Sequence, residues 1–182
     1  NIYSNAYMLQ IMKLYDVHSH LHYEKLAPSL HATIDSAKKA GVTSINCCGT
    51  SENDWQDVIT LVEKYNFIKP SFGIHPWYSA DATPLWNSRL MELLTLYPDA
   101  AIGETGLDFK HNDNRKTQVT VLNEHFEIAH KTKRPVSLHC ISAWKELMQI
   151  LIAHKKKGIR FMLHSYSGSS SDIYPLSRLG AY

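Results

Sequence analysis

From residue 14 onward, short apolar runs alternate with longer amphipathic runs, and this alternation constrains the fold more than any other feature. The apolar runs predict strands and the amphipathic runs predict helices, because their apolar residues recur with the periods of those structures. The predicted strands span residues 14–20, 43–49, 68–75, 100–107, 135–139 and 161–164. The predicted helices span residues 29–40, 53–65, 85–96, 116–131, 143–157 and 170–179, the last interrupted by Pro175.

Six residues at or near the ends of the predicted strands lie 29, 26, 29, 35 and 25 positions apart, about the length of one strand–helix unit: His20, Gly49, His75, Glu104, His139 and His164. Such a series predicts a parallel sheet, which is either doubly wound or closed into a barrel. Histidines and acids end several different strands, and side chains from so many strands meet only where the strand ends form a ring. We therefore predict an α/β fold, a TIM (β/α)8-type barrel with about six of the eight βα units present in this chain.

The composition is that of an ordinary globular domain, with 44% hydrophobic and 20% charged residues in a chain of 182. Lysine and arginine number 19 against 17 acids, so any contact with nucleic acid would have to be local. We predict that residues 1–12 are an N-terminal extension or tag remnant and that residues 13–182 form the barrel domain.

Cellular location is predicted from the cysteines and from hydropathy. Cys47, Cys48 and Cys140 lack the spacing of a disulfide framework or a zinc knuckle, which favours a reducing compartment. No apolar stretch approaches the ~18 residues of a membrane span, and no secretory signal is apparent. We expect a cytoplasmic protein, with no membrane contact and no predicted protein partner.

The first predicted strand ends in a histidine pair. Side chains at positions i and i+2 of a strand share one face, so Asp16, His18 and His20 are expected to project together. Two imidazoles on one face suit a metal ion, and Asp16 could accept the second ring proton of a ligand histidine. The competing interpretation is a pair of polar residues where a strand meets solvent.

Glu104 lies between two glycines in a run of apolar residues, AIGETGLD, which Asp108 ends. Burying that carboxylate is costly without a positive partner, which a metal ion or an arginine or lysine would supply. His139 and His164 end later strands. Together with His18, His20 and Glu104 they give more candidate ligands than the four that one tetrahedral ion takes. We therefore expect two divalent ions, drawn from zinc, manganese, magnesium, iron and nickel rather than calcium. Glu104 could bridge them and serve the catalytic step.

Five segments at or near the predicted strand ends carry distinctive motifs: residues 16–21 (DVHSHL), 73–77 (GIHPW), 102–108 (IGETGLD), 135–139 (PVSLH) and 164–168 (HSYSG). Taken together, these motifs resemble those of the TatD family of metal-dependent deoxyribonucleases, in the family's order and from residue 14 to the last residue. The resemblance implies a distorted TIM barrel of the amidohydrolase type that cleaves DNA with a metal-activated water.

The resemblance also implies roles for individual residues. His18 and His20 would hold one ion, Glu104 would bridge, and His139 and His164 would hold the second. His75 would lie near the substrate phosphate. Apart from the resemblance, Trp77 follows the third predicted strand at the mouth, where its ring could either stack on a base or be buried. Asp16 and Asp108 would support the ligands from behind.

The chain departs from the family pattern in two places. Ile141 occupies a position at which many members carry arginine, and the late aspartate of the family's last strand is absent. The chain reaches about the start of a seventh strand, so we expect either a longer natural product or a truncated one with little activity and poor stability.

Two other functions remain open from the sequence. The first is an amidohydrolase-type metalloenzyme that acts on a small ester, amide or phosphoester. The second is a catalytically inactive barrel that serves as a binding module, which the missing acid would explain. The primary prediction is a TatD-type deoxyribonuclease with DNA as its substrate.

Overall fold

The computed structural model describes residues 13–111 and 113–182; the predicted N-terminal extension, residues 1–12, lies outside the described residues. Strands and helices alternate as the sequence predicts. The strands are β1 Leu14–Ser19, β2 Val42–Cys48, β3 Ile68–Phe72, β4 Ala101–Asp108, β5 Val136–Ile141 and β6 Phe161–Leu163. The α-helices are α1 Leu30–Lys39, α2 Trp55–Lys64, α3 Trp86–Leu96, α4 Arg115–Thr132, α5 Trp144–Ala153 and α6 Ile173–Leu179.

The six strands form one parallel sheet in the order β1-β2-β3-β4-β5-β6. A doubly wound sheet reverses its strand order at a switch point, whereas a barrel places each strand beside the next one in sequence. The sheet also curls until its first and last strands approach each other. The imidazole of His18 at β1 stacks on that of His164 just beyond β6, with ring centroids 4.0 Å apart. The predicted TIM-type architecture with six βα units is confirmed.

Several element ends differ from the predicted bounds, and local contacts explain two of them and the place of Pro175. β3 ends at Phe72 because the next amides leave the sheet: the N–H of Ile74 donates to His125 and that of His75 to the Thr50 carbonyl. α5 gives way to a short 3-10 turn before Gly158, which adopts a left-handed conformation. Pro175 is the third residue of α6. Backbone N–H groups in the first turn of a helix have no carbonyl acceptor within the helix, so the missing N–H of proline costs no hydrogen bond there.

The core lies between the sheet and the helices that cover it. Its largest fully buried side chains include Phe72, Phe126 and Phe161, and the helix residues Trp55 and Trp86 are also buried, as expected of packing residues. Among the described helices, none is both long and apolar enough to cross a membrane.

β6 pairs with a last segment of the chain. Phe161 forms a parallel bridge with Ala181, and the amide of Tyr182 donates to the Phe161 carbonyl. These contacts form one parallel bridge beside β6, at the position where the sequence predicts the start of a seventh strand. Inside the curled sheet, toward the N-terminal ends of the strands, lies a cavity of about 520 Å³ lined by residues such as Tyr15, Val17 and Met162.

Gly106 is required where β4 passes close to β5. Its φ of +147° is unfavourable for residues with a side chain, and a Cβ there would lie 2.0 Å from the His139 carbonyl oxygen. The glycine thus allows the strand that carries Glu104 to approach the strand that carries His139.

We predict that Gly106→Ala lowers the free energy of unfolding by at least about 1–3 kcal/mol, because it adds both backbone strain and a steric clash. Urea unfolding followed by circular dichroism measures the loss. Gly158→Asn is the matched control, since Gly158 also has positive φ but a Cβ there meets nothing within 4 Å. Equal stability of Gly106→Ala and the parent protein would contradict the prediction.

Candidate metal centre

Glu104 lies at the centre of a ring of histidines at the C-terminal ends of the strands. Its carboxylate is buried, and each of its oxygens faces a different pair of imidazoles. Oε2 lies 3.4 Å from Nε2 of His18 and 3.1 Å from Nε2 of His20. Oε1 lies 2.9 Å from Nδ1 of His139 and 2.6 Å from Nε2 of His164. The structure therefore brings together all five residues for which the sequence predicts metal binding.

Burial and hydrogen bonding oppose each other at Glu104. Burial alone raises the pKa of this carboxyl group, but the hydrogen bonds from His139 and His164, followed by those from His18 and His20, hold the pKa well below its usual value. The carboxylate is therefore ionised at neutral pH. A buried negative charge needs positive charge close by, which a protonated histidine or a divalent cation supplies.

Two histidines at the end of β1 and Glu104 on β4 offer three ligand atoms with the spacing of a metal-binding face. Nε2 of His18, Nε2 of His20 and Oε2 of Glu104 form a triangle with sides of 3.2, 3.4 and 3.1 Å. Ligand atoms about 2.0–2.1 Å from a zinc ion, as is usual for nitrogen and oxygen, stand roughly 3.0–3.4 Å from one another. These residues fit a divalent ion without rearrangement.

Hydrogen bonds at the other ring nitrogens orient these imidazoles. Nδ1 of His20 donates to the carbonyl of Cys48 at 2.8 Å, which leaves Nε2 as the nitrogen directed to Glu104. Nδ1 of His18 lies 2.8 Å from Oγ of Ser137 on β5, so a proton on Nδ1 leaves a lone pair on Nε2. Such partners behind metal ligands fix the ring tautomer and orientation.

The second pair of histidines is arranged differently. Nδ1 of His139 lies 2.9 Å from Oε1 of Glu104, while its buried Nε2 has no hydrogen-bond partner among the described residues and lies 3.5 Å from Oδ2 of Asp108. With the ring proton on Nε2, toward the carboxylate of Asp108, the lone pair of Nδ1 would face Glu104, as binding of one cation by both residues requires. The groups His18–Glu104–His164 and His75–Glu104–His139 also have the spacing of three ligands, so distance alone permits other pairings.

The tautomer of His75 argues against metal binding by this residue. Its Nδ1 accepts a hydrogen bond from the Trp77 amide, so in the neutral ring the proton is on Nε2, 3.7 Å from Oε1 of Glu104. Burial lowers the pKa of His75 to about 4, so the ring is neutral at pH 7. His75 therefore directs an N–H donor, not a lone pair, into the site.

Asp108 is a fully buried carboxylate behind the histidine ring. Its Oδ2 accepts a hydrogen bond from the Trp77 indole at 2.7 Å, and its backbone is held at both ends by the side-chain amide of Gln118. Burial raises the pKa of Asp108, but the hydrogen bonds from Trp77 and His111 outweigh it and bring the pKa to about 2. Asp108 therefore lies close to the ligand histidines, and its supporting role stays a prediction.

Asp16 lies elsewhere than predicted. Its carboxylate is exposed and accepts the backbone N–H of His18 at 3.2 Å, not a ring proton. The register of β1 on β2 shifts between Asp16 and Ser19, and such a bulge breaks the alternation that would keep Asp16 on the histidine face. The Nδ1 atoms of His18 and His20 instead form hydrogen bonds with Ser137 and with the Cys48 carbonyl, which sequence reasoning missed because both lie on other strands.

His125 is another residue that the sequence analysis missed. It is fully buried on α4, stacks on Trp86, and donates from Nδ1 to the carbonyl of Val121. Its Nε2 accepts the backbone N–H of Ile74, the residue before His75. This neutral imidazole therefore fixes the turn that presents His75 to Glu104.

A family model described as TatD related DNase matches residues 15–182, nearly the whole chain. The chain belongs to the TatD family. The TatD homologue YjjV from Escherichia coli has the same fold, with a TM-score of 0.85 at 26% identity over 94% of this chain and 67% of that structure. A phosphotriesterase homology protein from Escherichia coli shares the fold at 15% identity, with a TM-score of 0.67 over 93% of this chain and 69% of that one.

Curated TatD relatives include an uncharacterised metal-dependent hydrolase of Buchnera aphidicola, 26% identical over 94% of this chain and 69% of the relative. The 3'-5' ssDNA/RNA exonuclease TatD of Yersinia pseudotuberculosis is 26% identical over 92% of this chain and 65% of its own length. Human deoxyribonuclease TATDN3 is 27% identical over 87% of this chain and 62% of its own length. This TatD chain spans about two thirds of the length of these relatives.

We predict that Ser137→Ala weakens zinc binding to this TatD chain by about 10- to 100-fold, because His18 loses the partner that orients its ring. Isothermal titration calorimetry with Zn²⁺ measures the affinity. Ser177→Ala, which removes an exposed hydroxyl on α6, is the matched control. Unchanged affinity in Ser137→Ala would exclude this role.

We also predict that His125 makes the protein less stable in acid. Burial lowers its pKa from 6.5 to about 4, so the unfolded chain takes up this proton first as the pH falls, and stability is lost between those values. The contribution is about 2 kcal/mol between about pH 7 and about pH 5. Urea unfolding at both pH values should show a smaller loss for His125→Gln than for the parent.

His31→Gln is the control for the acid experiment, because the His31 side chain is 81% exposed. This variant should retain the pH dependence of the parent protein. A His125→Gln protein with the parent's full pH dependence would rule out His125 as a source of acid sensitivity.

Proposed function

We propose that this protein is a two-metal hydrolase that cleaves phosphodiester bonds in nucleic acid, with DNA as the preferred substrate. The observation that supports it most strongly is the shared carboxylate of Glu104, each oxygen of which faces a separate pair of imidazoles. One carboxylate between two nitrogen pairs is a suitable arrangement for two ions that act on one phosphate.

In this proposal His18 and His20 hold one ion, His139 and His164 hold the other, and Glu104 binds both. The ions are divalent, and imidazole with carboxylate suits zinc, manganese, iron or nickel; magnesium is a further candidate. When bound, such ions polarise a phosphoryl oxygen and lower the pKa of water.

The protein's own side chains have distinct roles in the proposed reaction. Glu104 remains ionised and fixed, since its buried carboxylate is held by four ring nitrogens. His75 acts as a neutral donor, with its Nε2 proton directed into the site beside Oε1 of Glu104, where it could donate to a phosphate oxygen. Trp77 lies at the mouth beside His75 and contacts the substrate.

The openness of the site favours a polymer over a small enclosed substrate. The side chains of His20 and His164 are 24% and 20% exposed, so solvent reaches the histidine ring from the mouth. The apolar cavity inside the sheet is lined mainly by residues at the other end of the strands, such as Tyr15 and Phe161. The relatives named as a single-stranded DNA/RNA exonuclease and as a deoxyribonuclease also support a polymeric nucleic acid substrate.

The proposed location is the cytoplasm. Cys47, Cys48 and Cys140 are all buried as free thiols, which suits a reducing compartment. Burial raises the pKa of Cys47 to about 11 and that of Cys140 to about 12, so neither is a reactive thiolate.

We predict that the protein hydrolyses a single-stranded oligonucleotide in the presence of Mn²⁺ or Mg²⁺ and that a chelator stops the reaction. Glu104→Gln should reduce the rate about 100-fold or more, because metal stabilisation of the transition state amounts to several kcal/mol. Gel electrophoresis of a labelled oligonucleotide measures the rate, and elemental analysis measures bound metal.

Glu92→Gln, an exposed substitution on α3, is the matched control and should keep full activity. Metal-loaded protein that leaves the oligonucleotide intact would refute the proposed function. Full activity in Glu104→Gln would remove this residue from the mechanism.

A further inference from the structure

We propose that Trp77 and His111 form a stacking subsite for one unpaired nucleobase, held in place by the buried carboxylate of Asp108. The inference rests on the proposed function, because it assigns a position to the base next to the cleaved phosphate. We call this group of three side chains the stacking subsite.

Trp77 is exposed yet firmly oriented. Nearly half of the residue, 48%, is open to solvent, although an indole usually packs inward. Its Nε1–H donates to Oδ2 of Asp108 at 2.7 Å, and Asp108 is itself completely buried. A rigid aromatic side chain loses little conformational entropy when it binds a ligand, so its orientation favours binding.

His111 contacts the same carboxylate from the loop after β4, whereas Trp77 comes from the loop after β3. Its Nδ1 lies 2.9 Å from Oδ2 of Asp108, and its side chain is 46% exposed. The rings of His111 and Trp77 meet edge to face, with centroids 5.8 Å apart and planes at 67°, so a base would stack on Trp77 with His111 at its border. Backbone amides of Lys110 and His111 also donate to Oδ1 of Asp108. One buried carboxylate therefore orients two exposed aromatic rings from two separate segments.

The stacking subsite is one ring away from the candidate metal centre. The ring of His75 lies 4.9 Å from that of Trp77 and 4.5 Å from that of His139, and its Nε2 is 3.7 Å from Oε1 of Glu104. A phosphate that reaches His75 would therefore leave its neighbouring base at Trp77.

The charges around the subsite suit a polyanion. The segment after β4 carries the exposed cations Lys110, Arg115 and Lys116 against one acid, Asp113. Aromatic faces beside cations are the usual means of binding single-stranded nucleic acid without reading its sequence. A base inside a duplex is already stacked, so the subsite accepts a base that is unpaired.

Asp108 also connects the stacking subsite to the metal centre. Its Oδ2 binds the Trp77 indole and lies 3.5 Å from the otherwise unsatisfied Nε2 of His139. The carboxylate that orients Trp77, and through it a stacked base, therefore also lies next to His139, a proposed metal ligand. Asp108 is therefore a positioning residue for both the base and His139.

The test uses two short oligothymidylates with a fluorescent label in the middle, one intact and one with an abasic nucleotide at the end that is cleaved. For the parent protein, removal of the base should weaken binding by about 5- to 150-fold, the equivalent of about 1–3 kcal/mol of stacking. Fluorescence anisotropy measures the dissociation constants, and both ends of the oligonucleotide are tested.

Trp77→Ala should bind the intact oligonucleotide as weakly as the parent binds the abasic one, and loss of the base should then have no further effect. Trp77→Phe, which keeps a ring but loses the indole N–H to Asp108, should fall between the two. Tyr182→Ala, an exposed aromatic at the other end of the barrel, should behave like the parent. Thermal unfolding verifies that each variant is folded.

Equal binding of intact and abasic oligonucleotides by the parent would overturn the stacking subsite, as would an undiminished effect of the base in Trp77→Ala. Cleavage distinguishes this failure from failure of the proposed function. If both oligonucleotides are cleaved equally with Mn²⁺, the function stands and the subsite is wrong. If the metal-loaded parent cleaves neither, the proposed function itself is wrong.

Discussion

The structure depends on one buried negative charge. Glu104 lies at the centre of the mouth of the curled sheet, and ring nitrogens from β1, β5 and the segment after β6 converge on its two oxygens. A carboxylate in this position is stable only if positive charge or N–H donors surround it. The residues around it are therefore arranged first to satisfy this charge, and the chemistry of the site follows from that arrangement.

The backbone around Glu104 is shaped for the same purpose. Gly103 and Gly106 both have positive φ, and at each of them a Cβ would collide with the backbone of β5. These glycines let β4 lie close enough to β5 for the Glu104 carboxylate to meet His139. Parallel strands in sequential order then bring the ends of β1 and β6 to the same place, where the rings of His18 and His164 stack.

An outer layer of hydrogen bonds sets the direction of each ring. The Cys48 carbonyl and Ser137 orient the β1 pair, His125 holds the turn before His75, and Asp108 orients Trp77. These contacts decide which ring nitrogen faces Glu104, and so separate lone pairs suited to a metal from N–H donors suited to a phosphate.

The sequence alone determined the order of strands and helices, the barrel architecture and the five residues that converge at the mouth. Each of these follows from local periodicity or from a polar residue at a strand end, which are properties of short segments. Only the tertiary structure decided that Ser137 rather than Asp16 supports His18, and that His125 reaches Ile74. Those contacts join residues far apart in the chain, or depend on a bulge in β1. Sequence spacing does not predict such contacts, because the distance between two residues on separate elements is set by how those elements pack.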